Sequence, residues 1–89
     1  MRLNKIQIEE IATRMVQRKV SAYAGRFTIC NVLGVEDKKI TADNERKILT
    51  RFWRKVLVEP GTRYSTLDKM YCEAQLNLSG KADIEDLLA

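Results

Sequence analysis

Apolar residues recur at helical spacing in the first third of the chain. Between positions 8 and 16 they stand at i, i+3, i+4, i+7 and i+8, a spacing that lines one face of an α-helix. Asn4 precedes the pattern and is of a residue type that caps helix N-termini. The sequence therefore predicts a first helix from about Lys5 to Ala24, weakened at its end by Gly25.

The clearest amphipathic pattern predicts a long helix from about Ala42 to Val58. Its apolar residues fall on one arc, and Thr41 or Asp43 is positioned to cap its start. Pro60 ends it, because proline lacks a backbone N–H and disfavours helical conformation in the preceding residue. The apolar arc consists of Ile48, Leu49, Phe52, Trp53 and Val56.

The remaining third of the chain predicts one more helix and a short final one. Residues 65–68, STLD, have the form of a capping box, and a helix is predicted from about Thr66 to Asn77. Its predicted apolar stripe comprises Leu67, Met70, Tyr71, Ala74 and Leu78. The closing segment ADIEDLLA places three aliphatic residues at helical spacing, namely Ile84, Leu87 and Leu88.

Residues 26–35, RFTICNVLGV, fit two interpretations. Their β-branched content and alternation would suit a strand, but no comparable segment exists to pair with them, and a lone strand is unstable. A short buried helix closed by Gly34 is therefore preferred. The whole pattern predicts an all-α fold: one domain over residues 1–89, a compact bundle of about four helices plus a short C-terminal helix.

Residues 11–23, IATRMVQRKVSAY, resemble in part the helix-turn-helix of repressors, whose pattern is I-A-x-x-L-G-V-S-x-x-T-V-S. Four residues match that pattern in character, namely Ile11, Ala12, Met15 and Ala22. Val16 stands where the pattern has its turn glycine, so one continuous helix is the simpler prediction for this segment. No site residue is transferred from the resemblance.

Charge is distributed unevenly along the chain. The formal net charge is +4, but residues 1–58 carry thirteen Lys/Arg against six Asp/Glu, whereas residues 59–89 carry three against six. The first two-thirds therefore stand at +7 and the last third at −3. A basic body of this kind favours an anionic partner such as nucleic acid.

The helix predicted at residues 42–58 carries a basic arc opposite its apolar arc. At about 100° per residue its lysines and arginines fall on one side, and these are the side chains that contact phosphate. If this helix lies beside the first one, their basic residues could form one patch for double-stranded DNA. The candidate nucleic-acid-binding residues are Arg14, Arg18, Lys19, Arg46, Lys47, Arg51, Arg54 and Lys55. An ordinary solvated helix face is the alternative interpretation.

A second hypothesis makes the chain a protein–protein interaction module, such as an inhibitor, adaptor or assembly factor acting on a larger complex. The last third has more large apolar residues than a thin core would bury, and a short acidic and apolar helix suits docking into a groove. Homodimerisation would cover the same surface. The candidate residues are Met70, Tyr71, Leu78, Ile84, Leu87 and Leu88.

Catalysis and metal binding find little support in the sequence. The chain has no histidine, and its two cysteines, Cys30 and Cys72, stand far apart, too few for a structural zinc site. No phosphate-binding glycine motif occurs. The acidic clusters, including Glu9–Glu10, lie near predicted helix starts, where the helix dipole explains them. We therefore expect no enzyme activity, no cofactor and reduced cysteines.

The sequence shows no pattern typical of membrane targeting. The N-terminal residues lack an uninterrupted apolar core, which argues against a secretory signal. No apolar run approaches the roughly 20 residues that cross a bilayer. The expectation is a cytoplasmic protein without a membrane partner, whose candidate partners are nucleic acid or a larger protein complex.

Overall fold

The computed structural model of the chain describes residues 2–36, 40–58 and 63–78, and its regular elements over these ranges are four α-helices. They are α1 (Lys5–Gln17), α2 (Arg26–Leu33), α3 (Ala42–Val58) and α4 (Thr66–Leu78). The prediction of an all-α bundle is confirmed. The short C-terminal helix predicted at residues 82–89 lies outside the described residues.

The helix starts follow the capping residues that the sequence indicates. Asn4 Oδ1 accepts a hydrogen bond from the Gln7 backbone N–H at 2.8 Å, and Gln7 Oε1 accepts from the Asn4 N–H at 2.9 Å. The same reciprocal arrangement joins Ser65 and Asp68 at the start of α4. Thr41 caps α3, because its hydroxyl accepts from the Asn44 N–H at 3.1 Å. Each cap satisfies backbone donors that the first helical turn leaves unpaired.

The first helix ends earlier than predicted, so the prediction of a continuous helix to Ala24 is wrong. Helix α1 stops at Gln17, and Lys19 adopts a left-handed conformation with φ +52°. The Val20 N–H then donates to the Met15 carbonyl at 3.1 Å, and the Lys19 N–H to the Val16 carbonyl at 3.0 Å. These two bonds form a Schellman motif, which usually has glycine at the left-handed position.

Residues 26–33 form the short helix α2, as preferred over a strand. Gly34 follows with φ +71°, and the N–H groups of Gly34 and Val35 both donate to the Cys30 carbonyl, at 2.7 and 3.1 Å. A left-handed glycine of this kind ends a helix without steric cost. Arg26 ties the start of α2 to α3, since it donates to the Ile40 carbonyl at 2.6 Å and to Glu45 at 3.1 Å.

Helix α3 is the central element, because it packs against both α1 and α4. Its predicted apolar arc is confirmed: the side chains at positions 48, 49, 52, 53 and 56 are all buried. The Phe52 ring meets the Tyr64 ring edge-on, with centroids 6.2 Å apart. The largest fully buried side chains are Phe52, Met15, Ile29, Ile40, Ile48, Val56 and Cys72.

Helix α4 contacts the core through a different face from the one predicted. Cys72 and Leu76 are buried, whereas Leu67 is 71% and Met70 59% exposed. Tyr71 lies at the border between the two faces and is partly buried. The helix therefore has two apolar stripes, and the predicted one lies mainly on the outer side.

Candidate nucleic-acid interface

Two residues of the predicted basic arc of α3 bind a carboxylate of α1. Arg51 Nη1 lies 3.0 Å from Glu9 Oε2, and Lys55 Nζ lies 2.7 Å from Glu9 Oε1. The hydrogen bond from Lys55 is the main cause of the lowered pKa of Glu9, and Arg51 adds to it against the opposing effect of burial. Glu9 therefore joins α1 to α3, and the helix dipole does not explain its position.

Burial separates Lys55 from the other candidate residues. Its side chain is 9% exposed and that of Arg51 is 25% exposed. Arg54 is partly buried, and its Nε atom has no hydrogen-bond partner among the described residues. This half of the arc thus contributes to packing between helices more than to the surface.

The N-terminal half of α3 is more open. Arg46 and Lys47 lie 3.6 and 3.0 Å from the two carboxylate oxygens of Asp43. All three side chains are more than half exposed. Two cations share the Asp43 carboxylate here, and such exposed pairs are weak enough to rearrange around a ligand.

The remaining candidates stand at the C-terminal end of α1. Arg14, Arg18 and Lys19 are exposed, and none of them forms an ion pair with another residue in the described ranges. Arg14 and Arg51 line the same shallow groove of about 530 Å³ beside α1. The carboxylates of Glu9 and Glu10 line this groove as well, so it does not join the basic faces of α1 and α3 into one basic patch.

The segment between α1 and α2, residues 18–25, is called the connector below. Two aromatic side chains bond to its backbone: the Tyr64 hydroxyl donates to the Val20 carbonyl at 2.7 Å, and Trp53 Nε1 to the Ala22 carbonyl at 3.1 Å. Burial raises the pKa of Tyr64 to about 12, which keeps this donor protonated. These bonds fix the connector on the core.

The connector alternates between inward and outward side chains. Ala22 and Ala24 are 1% and 7% exposed, whereas Lys19, Ser21 and Tyr23 are exposed. The Tyr23 N–H donates to the Ser21 hydroxyl at 3.1 Å and stabilises the turn. The helix predicted to Ala24 did not allow for this alternation of exposed and buried side chains, although the two-residue period of residues 19–24 argues against a helix.

Three aromatic rings form a series from the core to the surface at the connector. Trp53 is buried and meets Tyr71 at a centroid distance of 6.3 Å, in an edge-on arrangement. Tyr71 contacts the Tyr23 ring at 4.3 Å. Tyr23 is 61% exposed, so its ring is supported by Tyr71 and also open to solvent. Phe27, four residues further on, is 75% exposed.

The candidate residues for protein binding are only partly described. Met70 lies on the outer face of α4 beside the exposed Leu67, with Tyr71 at its border. Leu78 is the last residue of α4, and its side chain lies outside the described part of the structure. Ile84, Leu87 and Leu88 also lie outside it.

The cysteines do not form a reactive or metal-binding site in the described residues. Cys30 and Cys72 are both buried and free of a disulfide. Burial, with a smaller effect from the charge of Asp68, raises the pKa of Cys72 to about 11, so this thiol stays protonated at neutral pH. No cluster of three or more metal-ligating side chains occurs in residues 2–36, 40–58 and 63–78.

Comparison with known protein families, with curated proteins and with solved structures found no match to this chain. Among the helices that the structure describes, none has the length and apolar character that crossing a membrane requires.

Proposed function

We propose that this protein binds nucleic acid through phosphate contacts made by the cations at the end of α1. The observation that carries the proposal is the exposure of Arg14, Arg18 and Lys19, without ion pairs to other described residues. An exposed cation with no carboxylate partner can neutralise a phosphate at little cost, whereas a paired and buried cation must first lose its partner.

The proposed site therefore differs from the basic arc that the sequence favoured. Lys55 is left out because it is buried against Glu9, and Arg51 contributes at most from the edge of the groove. Arg46 and Lys47 remain as a secondary cluster because they are exposed. The net charge of +4 supports an anionic partner in general terms.

The experiment is a fluorescence anisotropy titration with a labelled random DNA duplex at about 50 and 200 mM salt. If about three phosphates are neutralised, affinity should fall roughly 40-fold between these conditions, because condensed counterions are released on binding. Absence of binding at the lower salt concentration, both to the duplex and to a single strand of the same length, would contradict the proposal.

The double variant Arg18→Glu, Lys19→Glu tests the site itself. We expect it to lose most of the duplex affinity while it stays folded, because both side chains are exposed. The matched control is Arg63→Glu, Lys69→Glu, which makes the same change in net charge at two other exposed positions. Equal loss in both variants would show that binding follows net charge and not the α1 end.

Reversing the charge of Arg51 is a poor test, although it lies on the basic arc predicted from the sequence. A glutamate at this position would stand beside Glu9, which Arg51 now contacts at 3.0 Å. Like charges in contact would destabilise the α1–α3 interface. A loss of binding in that variant could then reflect unfolding.

Binding to another protein is the second candidate function, and the outer face of α4 favours it. Leu67 and Met70 are large, 71% and 59% exposed, and one helical turn apart. Exposed apolar patches often mark protein interaction sites. Replacing both residues with Ser should leave duplex binding unchanged, and it should weaken capture of a protein partner if this face is used.

A further inference from the structure

We propose that the connector binds single-stranded nucleic acid, with a base stacked on the open side of the Tyr23 ring and nearby phosphates on Arg18 and Lys19. The inference rests on the proposed function and gives it a preferred substrate class. Proteins that bind single strands without sequence preference combine cations along the backbone with aromatic rings for the bases. The connector brings these two elements together within six residues.

The connector is held rigidly against the core. Its backbone carbonyls at Val20 and Ala22 accept hydrogen bonds from Tyr64 and Trp53, both of which belong to the core. Ala22 and Ala24 are buried beneath it. A segment held in this way is already ordered before it binds. The free-energy cost of ordering it therefore does not reduce the affinity.

The aromatic contact of Tyr23 leaves much of its ring exposed. Its ring contacts Tyr71 at a centroid distance of 4.3 Å, and Tyr71 is supported in turn by the buried Trp53. A ring supported on one side and 61% exposed offers a surface on which a base could extend the aromatic series. An exposed aromatic ring is costly to leave in water, and stacking with a base would cover it.

Two cations and a second aromatic residue lie close to Tyr23 in the sequence. Arg18 and Lys19 precede Tyr23 in the same segment, and both are exposed. Lys19 has the left-handed conformation, φ +52°, which is uncommon for residues other than glycine, asparagine and aspartate. Phe27 adds a second exposed ring, and its Cα atom lies at most about 14 Å from that of Tyr23, the length of four extended residues. Duplex DNA keeps its bases stacked inside, so these rings favour a single strand.

The test compares two labelled oligonucleotides of about 12 nucleotides, oligothymidylate and an abasic strand with the same number of phosphates. We expect the wild-type protein to bind oligothymidylate about tenfold more tightly than the abasic strand. The variant Tyr23→Ala should lose this difference, and Tyr23→Phe should keep it because the ring remains. Phe27→Ala should reduce the preference for oligothymidylate by less, since no ring contact supports Phe27 among the described residues.

The outcomes separate the two proposals. Equal affinity for the two strands, or an unchanged preference in Tyr23→Ala, would overturn the stacking proposal and leave phosphate binding intact. Failure of both strands and of the duplex to bind at low salt would overturn the proposed function together with the stacking proposal. Circular dichroism of Tyr23→Ala, whose side chain is 61% exposed, should match the wild type and so exclude unfolding as the cause.

Discussion

Two pairs of basic side chains carry the same charges but have different surroundings in the fold. They are Arg51 and Lys55 of α3, and Arg18 and Lys19 of the connector. The α3 pair is held by Glu9 at 3.0 and 2.7 Å and lies largely away from solvent. The connector pair is exposed, and it makes no ion pair with any residue in the described ranges. A basic residue therefore indicates a ligand site only when its partners within the fold are known.

Of the changes that test this comparison, Glu9→Gln should lower the free energy of unfolding the most. The substitution removes the carboxylate that lies 2.7 Å from the Lys55 ammonium, whose side chain is 9% exposed. Breaking a buried pair costs about 3–5 kcal/mol, but Glu9 is partly exposed, so we expect the free energy of unfolding to fall by about 2 kcal/mol. Urea denaturation measures it. Glu10→Gln, an exposed neighbour with the same charge change, is the control, and an equal loss there would contradict the role of Glu9.

Acidification should weaken the same interface without a mutation. The pKa of Glu9 is below its ordinary value of 4.5 in the folded protein, chiefly through the hydrogen bond from Lys55. The stabilisation is therefore fully present above pH 4.5 and is lost as the pH falls through the lowered folded-state value. Denaturation midpoints measured from neutral pH down to acid should drop more in the wild type than in Glu9→Gln. Parallel curves would contradict this.

A smaller effect is expected from Tyr64→Phe, which changes the support of the connector and leaves the α3 ion pairs alone. The variant removes the 2.7 Å hydrogen bond to the Val20 carbonyl. We expect a loss of about 1 kcal/mol in the free energy of unfolding, as for a typical intramolecular hydrogen bond. Tyr23→Phe, which removes an exposed hydroxyl, should change it by less than about 0.5 kcal/mol. Equal effects would show that the Tyr64 bond contributes nothing.

The smallest effect should be a gain in stability from Lys19→Gly. The left-handed conformation, φ +52°, costs an ordinary L-residue about 1 kcal/mol, and glycine avoids most of this cost. Because glycine also has more freedom in the unfolded chain, we expect a net gain of about 0.5 kcal/mol. Lys19→Ala keeps the strained conformation and should show no gain. A glycine variant less stable than the alanine variant would refute the strain.

The local features of this protein were determined by the sequence itself. The capping residues Asn4, Thr41 and Ser65 and the left-handed Gly34 act on backbone groups a few positions away. The apolar arc of α3 is likewise a property of one helix. Such features depend on neighbours in the chain. The all-α class, the end of α2 at Gly34, the bounds of α3 and, to within a residue, the bounds of α4 could therefore be predicted.

Other features were decided by the tertiary structure alone. Arg51 and Glu9 are 42 positions apart, so no local pattern shows that they neutralise each other. The connector departs from the predicted helix because Tyr64 and Trp53 bind its carbonyls from distant positions, and Lys19 supplies the turn without glycine. Helix α4 has two apolar stripes, and the packing of the whole core decides which of them is buried. Each of these features depends on contacts between helices that are distant in the sequence. Such contacts are seen only once the complete fold is known.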